Sequence, residues 1–216
     1  MSRVTFARLL IGRFLPPDID RVLYFDSDLI VRGDLKELWD HDLAGKTIGA
    51  IRDVVPYPNN SVLGLPPGAP YFNAGVMLID LLRWRELEIG QRALDFACQH
   101  PDRILHWDQC ALNLILCGDW VMLDPKWNFQ TKEVGGRRNG YMHFKKMRSH
   151  VRDAVRIVHF TGLSKPWHYE NYHPIKEEYL KYRRCTPWPL DRFEDRYPWN
   201  IMRRFLHRPR PLICLA

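Results

Sequence analysis

Two aspartates interrupt a run of strand-forming residues near the start of the chain, in the stretch VLYFDSDLIV at residues 22–31. Residues two apart in an extended segment point to the same side, so Asp26 and Asp28 can aim both carboxylates at one point. Because ionised carboxylates are costly to bury, that point must lie where the strand leaves the core. The stretch therefore predicts a short core strand that ends at a polar site.

The carboxylate pair is compatible with three interpretations. Two like charges about 4 Å apart repel by roughly 4 kcal/mol at an effective dielectric near 20, and a divalent cation between them reverses the sign. Asp and Ser are also ordinary turn formers, so a solvated Asp-Ser-Asp turn would explain the pair without a ligand. The stretch further resembles the first motif of haloacid-dehalogenase-type phosphatases, with Asp26 as nucleophile and Gly118, Asp119 and Asp124 as the late acidic motif.

Length, charge and cysteine usage narrow the class of protein. A chain of 216 residues that is 46% apolar can form one sizeable core with a tail. The formal charge of +7 suits an anionic partner, such as a nucleotide, a nucleic acid or an acidic membrane surface. The five cysteines are odd in number and include no C-x-x-C pair, which favours a reducing compartment. No apolar run is long enough for a spanning helix, so we expect a cytosolic or peripheral protein.

Strand-like and helical patterns alternate along the chain, which predicts an α/β domain whose parallel strands present residues at their C-terminal ends. A Pro- and Gly-rich stretch, NNSVLGLPPGAP, reads as a surface loop. The predicted strands are RVLYF, KTIGAI, AGVMLID, WVML and VRIVHF, and the predicted helices are LKELW, LLRWRE, IGQRALDFACQH, DQCALNLILCG and HPIKEEYLKYRR.

Composition changes near residue 183, so we expect a catalytic body at 1–182 and a basic, aromatic tail at 183–216. Arginine mixed with interfacial aromatics suits the surface of an anionic bilayer. A disordered basic end, or an extension that packs back on the body, would explain the same residues. Nucleic-acid binding ranks last because no recognised module accompanies the charge. The tail residues are Arg192, Arg196, Arg203, Arg204, Arg208 and Arg210 with Trp188, Tyr197, Trp199, Met202, Phe205, Leu206, Leu212 and Ile213.

Four motifs in order carry a family resemblance: VLYFDSDLIV, YFNAGVMLIDLLRW, WDQCALN and VHFTGLSKPWH. Together they resemble the retaining glycosyltransferases of family 8, including lipopolysaccharide galactosyl- and glucosyltransferases, from about Thr5 to Trp167. The resemblance implies a GT-A type fold, a Rossmann-like, mostly parallel sheet flanked by helices. It implies transfer of a hexose from UDP-galactose or UDP-glucose to a saccharide or glycolipid acceptor, with lipopolysaccharide core as the expected acceptor. The expected location is the cytoplasm, peripheral on the inner membrane.

The resemblance also implies a metal site. Asp26 and Asp28 would be the family's D-x-D and His159 its third ligand, holding Mn²⁺, with Mg²⁺ as the alternative ion. A metal with hard oxygen ligands neutralises the charge that grows on a leaving diphosphate. An imidazole beside two carboxylates tilts selection toward Mn²⁺, because nitrogen is a softer donor than oxygen. A lone His at a strand end is otherwise more often structural.

Further site residues follow from the same motifs. Gly162 and Lys165 would contact the diphosphate, and Arg8 would reach the donor site. Three of the site residues also have a purely structural interpretation: Asn73 could cap a turn, Asp108 could be a helix N-cap, and Arg8 could be a surface cation. Asp108 and Gln109 are the expected catalytic residues, although Cys110 replaces the acid of the frequent family sequence DQD. The expected sugar-contacting residues are Asp53, Asn73, Asp108 and Gln109.

Two routes would retain the anomeric configuration, and the residues leave both open. One uses a carboxylate nucleophile on the far face of the sugar. The other is a front-face path in which the leaving phosphate helps to deprotonate the acceptor, with Gln109 lining the face opposite attack.

Relatives begin with an A-x-D-x-x-Y motif that binds uracil and ribose, whereas this sequence opens at SRVTFARLLIGRF. We therefore expect an N-terminally truncated catalytic domain with an open edge strand that is prone to self-association. A non-catalytic, membrane-binding relative of a transferase is a further hypothesis.

Overall fold

A computed structural model describes residues 3–54, 60–131, 153–162, 165–169, 171, 175–190 and 192–206. The chain divides into two compact units. The first comprises residues 1–26 and 34–128, and the second comprises residues 27–33 and 129–216.

The first unit contains a four-stranded sheet in the order β1-β4-β3-β5. Strand β4 is antiparallel to both β1 and β3, and β3 is parallel to β5. The strands are β1 (Arg21–Phe25), β3 (Ile48–Arg52), β4 (Phe72–Asp80) and β5 (Trp120–Met122). The helices are α1 (Ile11–Phe14), α2 (Lys36–Trp39), α3 (Asn60–Leu63), α4 (Leu81–Glu86), α5 (Ile89–Gln99) and α6 (Trp107–Ile115), with 3₁₀ turns at Arg3–Leu10, Pro101–Arg103 and Pro125–Trp127.

Strand β4 forms the centre of the first core. Its residues from Phe72 to Ile79 are buried, as a central strand covered on both faces requires. At its end the Asp80 carboxylate accepts a hydrogen bond from the Arg83 amide at 2.9 Å and so caps α4. The β3–β4 register shifts between Ala50 and Ile51, which leaves a bulge in β4 at 74–76. A bulge re-aims the neighbouring side chains, here those at the end of the strand that carries Asn73.

A close helix contact holds the N-terminal 3₁₀ helix against α5. A Cβ added at Gly90 would lie 1.8 Å from the Leu9 carbonyl oxygen, so only glycine allows this approach. Leu9 is buried in the same core. The neighbouring Arg8 is thereby fixed against the body of the first unit.

The second unit contains a three-stranded sheet in the order β2-β7-β6. Strand β2 (Leu29–Val31) is antiparallel to β7 (Ile157–His159), and β6 (Phe129–Gln130) is parallel to β7. Its core comprises Ile30, Phe129, Val155, Val158, Phe160 and Ile175. Among its described residues, two helices follow, α7 (Lys176–Arg184) and α8 (Pro198–Leu206).

The predicted α/β class is confirmed, and each predicted strand and helix has a counterpart. The expectation of a mostly parallel sheet is wrong for the described strands, because three of the five strand pairings are antiparallel. The predicted loop NNSVLGLPPGAP contains α3, and Leu63 and Leu65 are buried. Among the described residues, no helix is both long enough and apolar enough to span a bilayer. Cys98, Cys110, Cys117 and Cys185 are free thiols.

Candidate active site

Arg8 connects three elements of the first unit. Its Nη2 lies 3.0 Å from Asp26 Oδ1 and its Nε lies 2.6 Å from Asp108 Oδ2, while its Nη1 donates to the Ala74 carbonyl oxygen at 2.6 Å. The guanidinium carbon is 4.7 Å from the ring centroid of Tyr24. We call Arg8, Tyr24, Asp26 and Asp108 the Arg8 cluster. Arg8 is thus no surface cation, because its side chain is only 10% exposed and lies between two acids.

Tyr24 orients the first of the paired aspartates. Its hydroxyl donates to Asp26 Oδ1 at 3.0 Å, and the Asp26 amide donates to the Gly75 carbonyl oxygen at 2.8 Å. Burial raises the pKa of the Tyr24 hydroxyl, and the neighbouring acids raise it further against the opposing charge of Arg8. The phenol therefore remains a protonated donor to Asp26 at neutral pH.

Asp108 lies in the first turn of α6, and His106, not Asp108, is the residue at the N-cap. The Asp108 side chain is 2% exposed. Burial raises its pKa to about 6, because it outweighs the opposing charge of Arg8. Because His106 is the N-cap and Asp108 is paired with Arg8, the alternative that Asp108 is only an N-cap is wrong.

A second group of polar side chains, the amide cluster, consists of Asp53, Asn73, Gln109 and Asn128. Asp53 Oδ2 accepts hydrogen bonds from Asn73 Nδ2 at 3.1 Å and from Gln109 Nε2 at 2.8 Å. Asn73 Oδ1 accepts from Asn128 Nδ2 at 2.9 Å and from the Gly75 amide at 3.0 Å. Asn73 therefore does more than cap a turn.

Gln109 is held at both ends of its amide. Besides the Asp53 contact, its Oε1 accepts from the Ala74 amide at 3.0 Å. Next to it, the Cys110 sulfur lies 3.4 Å from the Tyr71 hydroxyl and accepts from the His106 amide at 3.1 Å. Burial raises the pKa of the Cys110 thiol, which is fully buried. The thiol at this position belongs to the core and supplies no second acid.

The second unit holds a charged group that we call the Asp28 cluster, Asp28, His159 and Lys165. His159 Nε2 lies 3.1 Å from Asp28 Oδ1, and the Lys165 ammonium forms an ion pair with Asp28 Oδ2. The ammonium also donates to the Phe160 carbonyl oxygen at 2.7 Å. Pairing of Leu29 with His159 in the β2–β7 register brings the imidazole beside Asp28.

The Asp28 carboxyl is strongly acidic. Burial alone would raise its pKa, but hydrogen bonds and charges from His159 and Lys165 outweigh burial and lower the pKa to about 2. Asp28 therefore remains an ionised oxygen donor at all physiological pH values. An ionised carboxylate beside an imidazole nitrogen suits a divalent transition-metal ion.

Gly162 lies between His159 and Lys165 and has a φ of 95°. This left-handed conformation is strained for any residue with a Cβ, so glycine is required for the turn. The turn leads toward Lys165, whose backbone amide donates to His168 Nδ1 at 3.2 Å.

The structure groups the predicted site residues by unit. Sequence reasoning missed several residues that support them: Tyr24, Tyr71, Asn113 and Asn128. Asn113 accepts from the Phe72 amide at 2.7 Å and donates to the Gln109 carbonyl oxygen at 2.9 Å. It is a buried polar residue within the apolar run CALNLIL, and that contrast was an available signal. The first unit holds Arg8, Asp26, Asp53, Asn73, Asp108 and Gln109, and the second holds Asp28, His159, Gly162 and Lys165.

Comparison with known proteins identifies the class. The sequence model of glycosyl transferase family 8 matches residues 1–171. The chain belongs to this family, as its four motifs had indicated. This assignment sets aside the haloacid-dehalogenase alternative, and Asp124 correspondingly caps a 3₁₀ turn by accepting from the Lys126 amide at 2.8 Å.

Two individual relatives are similar to this chain over most of its length. General stress protein A of Bacillus subtilis (strain 168) is 36% identical over 193 residues, which cover 87% of this chain and 67% of that protein. Lipopolysaccharide 1,2-glucosyltransferase of Escherichia coli (strain K12) is 27% identical over 90% of this chain and 58% of its own length. The chain thus spans about three fifths to two thirds of these relatives.

A solved structure shows the fold. The crystal structure of galactosyltransferase LgtC with donor and acceptor sugar analogues matches with a TM-score of 0.72 and 28% identity. The match covers 88% of this chain and 70% of that one. The expected GT-A type α/β fold is therefore confirmed.

Proposed function

We propose that this chain carries the catalytic residues of a retaining hexosyltransferase that uses UDP-galactose or UDP-glucose. The observation that carries the proposal is the Asp28 cluster, in which Asp28 Oδ1 lies 3.1 Å from His159 Nε2 in a chain of family 8. Two relatives support the sugar class, since one is named a lipopolysaccharide glucosyltransferase and the other a galactosyltransferase.

Asp28 and His159, together with Asp26, are the proposed ligands of a divalent ion, with Mn²⁺ favoured over Mg²⁺. Two carboxylates and one imidazole offer three donor atoms of the type that Mn²⁺ accepts. Asp26 is separated from Asp28 by Ser27 alone and is oriented by Tyr24. When bound, the ion neutralises charge that develops on the leaving diphosphate.

Lys165 is the proposed partner of the diphosphate, together with the backbone at Gly162. Its ammonium is a point charge on a flexible stem and forms an ion pair with Asp28. A cation that neutralises the same carboxylate would release Lys165 to a phosphate oxygen. The left-handed turn at Gly162 lets backbone approach that phosphate closely.

The amide cluster and the Arg8 cluster are the proposed sugar-binding part. Sugar hydroxyls need fixed donors and acceptors, and Asp53, Asn73 and Gln109 are already held by one another. Arg8 is the proposed link to the donor, because its guanidinium contacts Asp26 on one side and Asp108 on the other.

The front-face route to retention of configuration is the one we propose. A carboxylate nucleophile presents one oxygen to the anomeric carbon, whereas Asp53 Oδ2 accepts from two amides and Asp108 Oδ2 is paired with Arg8. In the front-face route the leaving phosphate takes the proton of the acceptor hydroxyl. Gln109 is then the proposed group on the opposite face.

The acceptor and the location are proposed together. Lipopolysaccharide core at the cytoplasmic face of the inner membrane would be reached by a peripheral protein. Trp188, Tyr197 and Trp199 are 75%, 62% and 62% exposed and share their sequence segment with Arg192 and Arg196, which suits anionic head groups. Arg208, Arg210, Leu212 and Ile213 of the predicted tail lie outside the described residues. A vesicle-binding assay tests this attachment, and the expected result is binding to anionic but not to neutral vesicles.

The division at residue 182 and self-association through β1, which lies at one edge of its sheet, also remain proposals.

The test of the proposed function is a melting experiment on the full chain. Mn²⁺ with UDP should raise the melting temperature, since a ligand at about 100 times its Kd adds about 2.7 kcal/mol of stability. Asp28→Asn and His159→Ala should abolish the rise. Asp102→Asn, at an exposed acid of the first unit, is the matched control and should keep it.

Two outcomes would contradict the proposal. One is an unchanged melting temperature in the presence of Mn²⁺ and UDP, and the other is an equal rise in wild type and Asp28→Asn. Vesicle binding that persists in Asp28→Asn, without any hydrolysis of UDP-sugar, would instead favour the non-catalytic membrane-binding relative.

A further inference from the structure

The stretch that carries Lys165 is held by residues far along the chain in the second unit. We call residues 165–169 and 171 the Lys165 loop. The His168 amide donates to the Lys165 carbonyl oxygen at 2.9 Å, and the Lys165 amide donates back to His168 Nδ1 at 3.2 Å. These two bonds fix the backbone of Lys165 relative to His168. Contacts that hold His168 and Tyr169 therefore also fix the backbone position from which the Lys165 side chain extends.

One support of the loop is a buried lysine. Lys176, at the start of α7, is 4% exposed, and its ammonium donates to the carbonyl oxygens of His168, Tyr169 and Asn171 at 2.5, 3.3 and 3.3 Å. Burying an ammonium is costly unless its protons are hydrogen-bonded. The three carbonyl oxygens of the loop meet that requirement, so Lys176 and the loop conformation stabilise each other.

The second support is the C-terminal segment, residues 193–196. Both carboxylate oxygens of Asp195 accept from the Tyr169 amide, at 2.8 and 2.9 Å. The Phe193 ring packs edge-on against the Tyr169 ring, with centroids 5.7 Å apart, and lies 4.4 Å from the Lys176 ammonium. The guanidinium of Arg196 lies 5.5 Å from the Tyr169 ring centroid.

Helix α8 fixes Asp195 in turn. Asn200 Nδ2 and the Tyr197 amide both donate to the Asp195 carbonyl oxygen, at 2.7 and 2.9 Å. Asp195 thus has its backbone held by α8 and its side chain bound to the loop. A charge-assisted bond from an amide to a carboxylate is stronger than a neutral one.

We propose that Asp195 is a positioning residue for Lys165: the C-terminal segment holds the Lys165 loop in the conformation from which the ammonium reaches Asp28 and the diphosphate. This inference rests on the proposed function. It assigns to residues 193–200 a role in donor binding, whether or not the exposed aromatics also contact a membrane.

The test is a double-mutant cycle on the full chain, measured as the Kd for UDP in saturating Mn²⁺. Asp195→Ala should weaken binding about tenfold, and Lys165→Met should weaken it at least as much. The double variant should bind no more weakly than Lys165→Met alone, since Asp195 acts through Lys165. Asp195→Asn, which keeps an acceptor oxygen, should recover part of the loss, and the exposed neighbour variant Glu194→Ala should match wild type.

A second readout separates this inference from the proposed function. Hydrogen exchange at the Tyr169 amide should quicken in Asp195→Ala and stay slow in Glu194→Ala. A wild-type chain that binds no UDP contradicts the proposed function, while the exchange rate still reports whether Asp195 holds the loop. Unchanged exchange, unchanged Kd in Asp195→Ala, or additive losses in the double variant would each overturn the positioning role. If Asp195→Ala does not fold, Asp195→Asn takes its place in the cycle.

Discussion

The amide cluster of the first unit and the Asp28 cluster of the second satisfy their polar atoms in different ways. In the amide cluster, side-chain amides of Asn73, Gln109 and Asn128 bond to other fixed groups of the protein. In the Asp28 cluster, one carboxylate is neutralised by Lys165, whose ammonium stands on a four-carbon stem and whose side chain is 21% exposed. The first arrangement is a fixed part of the core, whereas the second can exchange one cation for another.

Substitutions in the two clusters should therefore have different effects on stability and on ligand binding. A change in the amide cluster should lower stability, because it leaves buried donors without acceptors. A change at Lys165 should alter ligand binding and lower stability less than a change in the amide cluster, because Asp28 keeps His159 as a second partner.

The largest effect is expected at the centre of the amide cluster. Asn73→Ala removes the acceptor of Asn128 Nδ2 and a donor to Asp53, and should lower the free energy of unfolding by about 2–4 kcal/mol. Urea unfolding monitored by circular dichroism measures it. Lys165→Met is the matched comparison from the other cluster. Equal destabilisation by the two substitutions would remove the distinction between the clusters.

The next effect is a pH dependence that arises from Asp108. Its pKa in the folded chain, about 6, lies above its ordinary value of 3.8, so the folded chain binds the proton more tightly. Its contribution to the free energy of unfolding is therefore fully present below about pH 3.8 and is lost as the pH rises through about 6. The loss approaches about 3 kcal/mol.

Comparison with Asp108→Asn isolates this contribution. Unfolding free energies of the two proteins between pH 4 and pH 8 should diverge, with the decline across pH 6 present in wild type and absent in the variant. Parallel profiles would show that Asp108 does not titrate as its burial requires.

The smallest effect is expected at Lys165. Because its ammonium pairs with Asp28, Lys165→Met should tighten binding of Mn²⁺ alone by about threefold, by removing a like charge from the site. The same variant should bind UDP more weakly in saturating Mn²⁺. Calorimetric titration measures both constants. Weaker binding of Mn²⁺ alone would mean that Lys165 does not compete for the carboxylate.

Local patterns in the sequence predicted most of the elements. The strands RVLYF and KTIGAI and the helix IGQRALDFACQH recur as β1, β3 and α5, because their signals lie within a few consecutive residues. Strand direction did not follow from such patterns. It depends on which strands pair across the chain, and the β4 strand lies antiparallel to both of its neighbours.

The site residues likewise include some with a local sequence signal and some that depend on long-range pairing. Asp26 and Asp28 stood out locally, and His159 was identified through the family resemblance. The β2–β7 pairing that places His159 next to Asp28 joins residues about 130 positions apart, so no local signal contains it. Asn128 was missed because a single polar residue in KWNFQ has no period, although its burial and its bond to Asn73 tie it to the amide cluster. The helix α8 was missed because tryptophan, proline and arginine obscure its pattern.

Binding of one divalent ion by Asp28 and His159 can be measured by electron spin echo spectroscopy of Mn²⁺ on the full chain. We expect one bound Mn²⁺ per chain with nitrogen modulation from a single imidazole. That modulation should disappear in His159→Ala, and Asp28→Asn should lose the bound ion. A bound Mn²⁺ without nitrogen modulation in wild type, or with unchanged modulation in His159→Ala, would show that His159 is not a ligand of the ion.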